Sequence, residues 1–489
     1  MSNNLNMGSE SSGGIGLLEA VAIEVGLIVG AGLFALTGVA TDLAGPAVPV
    51  SYVVAFGVVA LGLVPTAVLG AAYPTVAGNY RYPREFVSPH VAYLAAWGLT
   101  VSMFGGGLPL YALSFGGYVE TLTGVAPRLT AVLALTFFFG VNLRGIRPAA
   151  RVQLALFATL VASLLTFVVG GLPAVDPGAF RPLFAANATG VVTGAAVLYF
   201  VCLGANFIVD LGGDVQAATV TIPRSFLVSI PLALALYALV AFVAVGTVGP
   251  AALAGESLAV PAEAVLSGPL VAVFVVGGAL FATATTLNAV FMIAPKYLAA
   301  LAADDVFPAV LARENDRWGT PHWGLGLVYA VTVASALSPL PFDQLGSLLG
   351  FGGIFLIVPV MVAAIRFVRE RPGVHAASSV PLSPRTVVAV AALGIPANVA
   401  LFVLLGANDT GVLGVWVVAM VVGEAYYLGR RRYLARHGRT MGGAPLGEDG
   451  EERQVDGALN GGDSPDGGGT DAGGTDAGGT DAGGTRAGE

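Results

Sequence analysis

The chain has 489 residues, 56% of them hydrophobic and 11% charged, with a mean hydropathy of +0.81. Soluble domains carry roughly 25% charged residues, so this composition excludes an ordinary soluble globular protein, and a single cysteine, Cys202, excludes an intrachain disulfide. The formal net charge of −8 is local: residues 437–489 hold 11 acidic and 3 basic residues, which leaves 19 of each sign in the rest of the chain.

The apolar residues come in runs free of Asp, Glu, Lys and Arg, at 43–80, 152–175, 182–209, 225–255, 264–295 and 386–408. Each exceeds the ~20 residues that cross a bilayer as helix. The ~10-residue alternation of a transmembrane β-barrel is absent. The runs predict an all-α membrane protein with about 12 spans, near 16–41, 47–72, 90–122, 128–144, 151–172, 190–212, 226–248, 269–300, 323–340, 344–368, 386–406 and 411–430. Residues 1–14 form a short cytoplasmic tail, 15–436 the transmembrane domain, and 437–489 an acidic Gly/Asp/Thr-rich cytoplasmic tail. That last segment has too little apolar surface to offset its ordering entropy and is expected to be disordered. No basic residue precedes the first apolar run, so a signal peptide is not expected.

Orientation follows from the basic residues. With both termini inside, 20 of the 22 Lys and Arg residues fall in inner loops or the C-terminal segment, and only Arg128 and Arg181 fall outside. An error of one span would scramble that split. The expected location is the plasma membrane, and the expected partners are the lipid bilayer and a small molecule, not nucleic acid.

Spans 1 and 6 are alike in one respect. Gly26, Gly30 and Gly32 interrupt the first; Gly204 interrupts the sixth, with Gly212 and Gly213 at its end. Glycine weakens a helix interior. The two stand five spans apart, so a repeat of five would be inverted in the membrane, and glycine-broken segments at matching positions mark a carrier's binding site. Close helix packing is the alternative reading of the same glycines.

The residues around these breaks carry a family likeness. Val29-Gly30-Ala31-Gly32-Leu33-Phe34-Ala35-Leu36-Thr37-Gly38 with Ala44-Gly45-Pro46-Ala47, Tyr73-Pro74-Thr75-Val76-Ala77-Gly78-Asn79-Tyr80, Val141-Asn142-Leu143-Arg144-Gly145-Ile146-Arg147, and Leu287-Asn288-Ala289 through Ala294-Pro295-Lys296 stand in collinear order. Together they resemble the amino acid–polyamine–organocation (APC) family over roughly residues 15–370. The chain departs from the family's loop 6–7, having Gly213-Asp214-Val215-Gln216-Ala217-Ala218 where many relatives have Glu-Glu-Val-Lys-Asn-Pro. The resemblance implies a LeuT-like 5+5 inverted repeat with discontinuous spans 1 and 6, and a secondary transporter for amino acids. A carrier of another amine, polyamine-like, or an amino-acid exchanger are the alternatives.

A zwitterion in a low-dielectric pocket needs both charges satisfied, and an unwound helix offers free N–H and C=O groups with a positive half-helix N-terminus. The resemblance implies that N–H groups at Ala31 and Gly32 take the carboxylate. It gives the amine to carbonyls of Ile28, Phe200 and Leu203, and makes Gly30 and Gly204 the source of backbone freedom. The Phe200 ring is either a gate or a packing residue. No Asp or Glu lies in the middle of spans 3, 8 or 10, which favours a small or apolar neutral amino acid.

Coupling has two candidate seats. Ala282, Thr285 and Thr286 share one helix face and resemble the sodium site of LeuT-type carriers; carbonyls of Gly26 and Val29 would complete five oxygens. The same threonines could instead bond to their own helix carbonyls. Glu24, a carboxyl deep in the first span, is the proton-coupling candidate, since intramembrane carboxyls are costly and usually functional. The lysine that some proton-coupled relatives carry in span 5 aligns with Leu160. Sodium coupling, proton coupling and simple exchange all stay open.

An enzyme is not expected. The four histidines, His90, His322, His375 and His437, lie at helix ends or loops without metal-like spacing, and no Walker loop is present.

The charge split makes a direct prediction. Cysteines placed at Arg313 or Arg371 should react with an impermeant thiol reagent only from the cytoplasm, and one at Glu256 only from outside. Reaction of the Arg313 and Glu256 positions from the same side would overturn the span count.

Overall fold

Apolar residues without a turn signal wind into helix, since in hydrocarbon every backbone N–H and C=O must find a partner within the segment. The structure, a computed structural model, describes residues 14–380, 382–439 and 441–442. The predicted tails, 1–14 and 437–489, lie almost wholly outside the described residues. Among the described residues there is no strand, only the isolated bridges Ile15–Val215 and Val76–Leu211.

Every predicted span meets helix within a few residues. The first is split into α1 (Leu17–Ile28) and α2 (Ala31–Ala44). A 3-10 turn leads to α3 (Val48–Ala72), then a short amphipathic α4 (Gly78–Phe86). The third is α5 (Pro89–Ser102) and α6 (Leu108–Thr123), joined by a π-helical segment, Met103–Gly107. After α7 (Pro127–Leu143) and α8 (Ile146–Gly171), the sixth is α9 (Asn187–Cys202), which tightens into a 3-10 helix over Leu203–Asp210. Next come α10 (Ala218–Val248), the short α11 (Pro250–Leu253) and α12 (Ala259–Val265), and α13 (Gly268–Val273), which runs through a second π segment into α14 (Phe281–Ala303). The chain closes with α15 (His322–Leu337), α16 (Phe342–Glu370), the short α17 (Pro372–Ala377), α18 (Pro384–Asn408) and α19 (Thr410–Arg436).

Among the described residues nine helical stretches, not twelve, are long and apolar enough to cross a membrane. The difference has three physical sources. The break at Val29–Gly30 leaves α1 with only 12 residues. α2 and α3 join through helical turns into one run, Gly32–Ala72. And α7 and α15, with 17 and 16 residues, reach about 25 Å at 1.5 Å per residue, short of a ~30 Å hydrocarbon core.

The residues assigned to inner loops gather at one end of the helices. Arg84 pairs with Asp304 at 2.8 Å, Lys296 with Asp214 at 2.5 Å, and Arg439 with Asp305 at 2.7 Å. Arg366 donates to the Phe86 carbonyl and Arg430 to that of Asp305. Tyr80 donates to Asp304 at 2.6 Å; burial, then the Asp304 charge, raises its phenol above the ordinary value, which keeps the proton on the donor. Arg128 meets Ser338 instead, and Gly255 meets Gly38, at the opposite end.

Asp210 is the knot of the first end. Fully buried, it accepts from the Asn79 backbone N–H and side-chain amide, both at 2.8 Å, and from the Tyr297 hydroxyl at 2.8 Å. Asn79 and Asn206 exchange two more hydrogen bonds, and Thr66 donates to Asn206 at 2.6 Å. The far end of the 3-10 segment is thereby tied to α3, α4 and α14. Asp210→Ala would orphan three buried donors, each costing about 1–3 kcal/mol. We expect a loss of roughly 3 kcal/mol or more, read as a lower thermal midpoint in detergent; a midpoint equal to that of the native protein would contradict this account.

Candidate functional site

The candidate site begins where α1 ends. Val29 (φ −82, ψ 71) and Gly30 (φ −97, ψ −164) leave helical geometry. Val29 N–H still closes on Val25 at 2.6 Å, and Gly30 N–H turns back to the Ile28 carbonyl at 2.9 Å. The Tyr237 hydroxyl of α10 donates to that same carbonyl at 2.6 Å. Ile28 C=O, one of the groups expected to take an amine, is thus already met by two donors. α2 starts at Ala31, so the N–H groups of Ala31 and Gly32 stand in its first turn with no intrahelical carbonyl to meet and at the positive end of its dipole. The side chains of Ala31 and Phe200 are outside the described residues, and the expected gating role of the Phe200 ring lies there with them.

The second break packs directly on the first. Leu203 and Gly204 open the 3-10 segment. A Cβ on Gly204 would lie 2.5 Å from both the Ile28 nitrogen and the Leu27 oxygen, backbone atoms that cannot step aside. Gly30 does not need glycine for its dihedral angles, which are extended; a Cβ there would meet the Thr286 hydroxyl at 2.9 Å and the Tyr111 ring at 3.5 Å. A Cβ on Gly32 would run into the Val201 side chain. The expectation that these glycines supply conformational freedom gives way to a different reason: what they supply is space for close approach.

The proposed ion ligands come together on the other side of the break. Thr285 and Thr286 donate to the Gly26 carbonyl (3.2 and 2.9 Å) and to the Ala282 carbonyl (2.7 and 3.2 Å). Each hydroxyl has one proton and two acceptors, so the back-bonding within α14 and the link to α1 share the same groups. All four residues are buried, as is Val29; among the described residues no hydrogen bond ties the Val29 carbonyl to this group. No trio of His, Cys, Asp or Glu suited to a metal occurs among the described residues. The fitting donors here are neutral hydroxyls and carbonyls, the set that suits a hard monovalent cation.

Gln153 on α8 completes this corner, and the sequence reading missed it. Its amide donates to the Ala22 carbonyl at 3.2 Å and accepts from Asn288 at 3.0 Å, while Asn142 donates to Asn288 at 3.0 Å. A Cβ on Gly26 would collide with the Gln153 amide. Leu160, two turns further along α8, is simply buried. A lone amide inside a charge-free span was the available signal, by the rule that intramembrane polar groups are expensive. Glu24, also fully buried, faces α10 rather than this corner: its Oε1 accepts from Ser225 at 2.6 Å, and its Oε2 has no hydrogen-bond partner.

Two small adjacent cavities border the breaks. They share Leu27, Leu99, Met103, Phe207 and Val290; the first also touches Gly204, Thr286 and Tyr111. Neither is lined by an ionisable Asp, Glu, Lys, Arg or His. The π-helical turn starts at Met103, and such turns are frequent at functional sites.

A family model described as Amino acid permease matches residues 15–423. The chain belongs to that family. Among its relatives, an uncharacterized transporter of Mycobacterium tuberculosis is 30% identical over 353 residues, covering 71% of this chain and 78% of the relative. A branched-chain amino acid permease of Bacillus subtilis is 22% identical, covering 76% and 84%. A mitochondrial cationic amino acid transporter of Arabidopsis thaliana is 26% identical, covering 71% and 61%. The APC resemblance read from the motifs is therefore correct, and the permease is a multi-pass membrane protein of a transporter family.

The glycines allow a graded test in this permease. Gly204→Ala forces backbone apart and should cost about 1–3 kcal/mol of stability as overpacking, with substrate binding lost. Gly30→Ala meets only a rotatable hydroxyl and a ring edge, so its effect should be the smaller of the two. Equal binding by Gly204→Ala and the native protein would remove the second break from the site.

Proposed function

We propose that the protein is a secondary carrier that moves a neutral amino acid across the cell membrane by alternating access. In this reading it has twelve spans in a LeuT-like inverted 5+5 arrangement, with the first and sixth discontinuous. The observation that carries it is the packing of the α1–α2 break on the Leu203–Gly204 break, beside a small cavity that no Asp, Glu, Lys, Arg or His lines. The broken backbone offers N–H and C=O groups to a zwitterion, and the cavity offers nothing to pair with a cationic or anionic side chain. That absence favours the neutral substrate named for the Bacillus relative over the cationic one named for the Arabidopsis relative. The end holding Arg84, Lys296, Arg366, Arg430 and Arg439 is the cytoplasmic one, by the excess of basic residues there.

Sodium is the proposed coupling ion, held by the hydroxyls of Thr285 and Thr286 and the carbonyls of Gly26, Val29 and Ala282. Rotating the two hydroxyls turns lone pairs toward the seat. The ion would clamp α14 to the end of α1 next to the break, and so preorganise the N–H groups that receive the substrate carboxylate. By linkage, substrate and ion raise each other's affinity by one factor.

The test is uptake of a labelled amino-acid panel into proteoliposomes under imposed sodium or proton gradients. Sodium should lower the substrate Kd of the native protein. The double variant Thr285→Ala with Thr286→Ala should lose most of that effect while remaining folded, since alanine suits a helix. Binding that ignores sodium and follows pH would refute the sodium seat and move coupling to Glu24, whose Oε2 is unpartnered.

A further inference from the structure

We infer that Asn398 of α18 is a positioning residue for the second helix break: through the Tyr199 hydroxyl it fixes the rotation of α9 about its axis, and so the direction in which the backbone at Leu203 and Gly204 faces. This rests on the carrier reading above. Beyond its first turn, the large exposed side chains of α18, Leu393, Val399, Val403 and Leu404, are aliphatic. A helix of this kind meets lipid, where a polar side chain is expensive and marks a function. Yet α18 carries a fully buried amide, Asn398. Its side-chain N–H donates to the Gly394 carbonyl at 2.9 Å, and its Oδ1 accepts from the Tyr199 hydroxyl of α9.

Tyr199 stands one helical turn before Leu203, where α9 tightens into the 3-10 segment. The rest of α9 offers little that could stop it from turning. Towards α2 it presents glycine: a Cβ on Gly190 would lie 2.5 Å from the Leu43 oxygen, and one on Gly194 would lie 3.1 Å from the Ala44 Cβ. Ser51 of α3 donates to the Val191 carbonyl at 3.0 Å, but Val191 is about two turns from Tyr199. Among the described residues of the last two turns of α9, Tyr199 makes the one side-chain hydrogen bond. Gly204 sets how closely the two breaks approach, yet a contact of shape through a glycine has no directional atom.

Stability alone does not call for this pair. Removing one partner would leave the other buried and alone, which is costly, but replacing both by apolar groups of the same shape is nearly neutral. What an apolar pair would lose is direction. A hydrogen bond has a preferred geometry, enforced more strongly in low-dielectric surroundings, whereas aliphatic side chains pack in several ways. The Tyr199 hydroxyl is thus a rotational stop, placed one turn ahead of the Leu203 carbonyl.

The experiment compares the full-length native protein with Tyr199→Phe, Asn398→Leu and the double variant, all purified in detergent. The thermal midpoint reports stability. Binding of labelled neutral amino acids, leucine, alanine and serine among them, reports the site and is measured below every midpoint. Each single variant should lower the midpoint, and the double variant should recover it. Affinity should not recover: the double variant should bind the native protein's substrate about 2- to 30-fold more weakly, the range for residues that act at a distance from a ligand. A double variant with native affinity would overturn the inference, and so would one that fails to fold, since either result makes the pair a matter of packing alone. If the single variants fail to fold, the double variant decides. A native protein that binds none of the amino acids would overturn the carrier reading itself, a result distinct from equal affinities of native protein and double variant.

Discussion

Everything at the candidate site depends on how closely two unwound stretches of backbone approach each other. Gly204 rests on the peptide between Leu27 and Ile28 with no room for a single carbon. Because of that contact, the end of α1 and the start of the 3-10 segment act as one body. Leu27 from the end of α1 and Leu203 and Gly204 from the 3-10 segment then line one cavity. Gly30 and Gly32 keep side chains out of the same space, on the α14 and α9 sides.

Unwinding helices inside an apolar body creates a debt of unsatisfied polar groups, since a backbone group without a partner in such surroundings costs several kcal/mol. The structure answers it with long side chains from neighbouring helices. Tyr237 meets the carbonyl of Ile28. Thr285 and Thr286 meet that of Gly26, while Gln153 adds a bond to the Ala22 carbonyl, one turn inside α1. Asn142, Asn288 and Gln153 link α7, α14 and α8 in one chain of amides that ends on α1. These bonds hold α1 by its carbonyls from three sides, which makes its position sensitive to whatever changes at α8, α10 or α14.

The 3-10 segment is held in a different way. Its near end is fixed by shape, through Gly204, and its far end by hydrogen bonds, through Asp210 and the three donors around it. Tyr297 belongs to both systems: its ring closes the apolar cavity and its hydroxyl holds Asp210.

The sequence by itself determined the class of protein, the family, the approximate position of each long helix, and the breaks near Gly30 and Gly204. Those features are local or additive: hydrophobic length, charge placement between runs, and glycines within runs act where they stand. It also located Gly26, Ala282, Thr285 and Thr286, because their helical spacing puts three of them on one face and the motif supplies the fourth. What it did not give was every feature made by residues far apart in the chain. Gln153 and Tyr237 sit in charge-free runs with no periodic signal, and only the packing of α8 and α10 on α1 turns them toward its carbonyls. The count of long spans fell from twelve to nine because the first span is broken and its second half runs on into α3, and because α7 and α15 are short. The sequence left two reasons for the glycines, backbone freedom and close packing; the extended dihedral angles of Gly30 and the backbone lying against Gly204 favour the second. Composition can say that a pocket in such a protein will be mostly apolar, but which hydroxyls point into it, and which are already spent on a neighbour, is decided only by the fold.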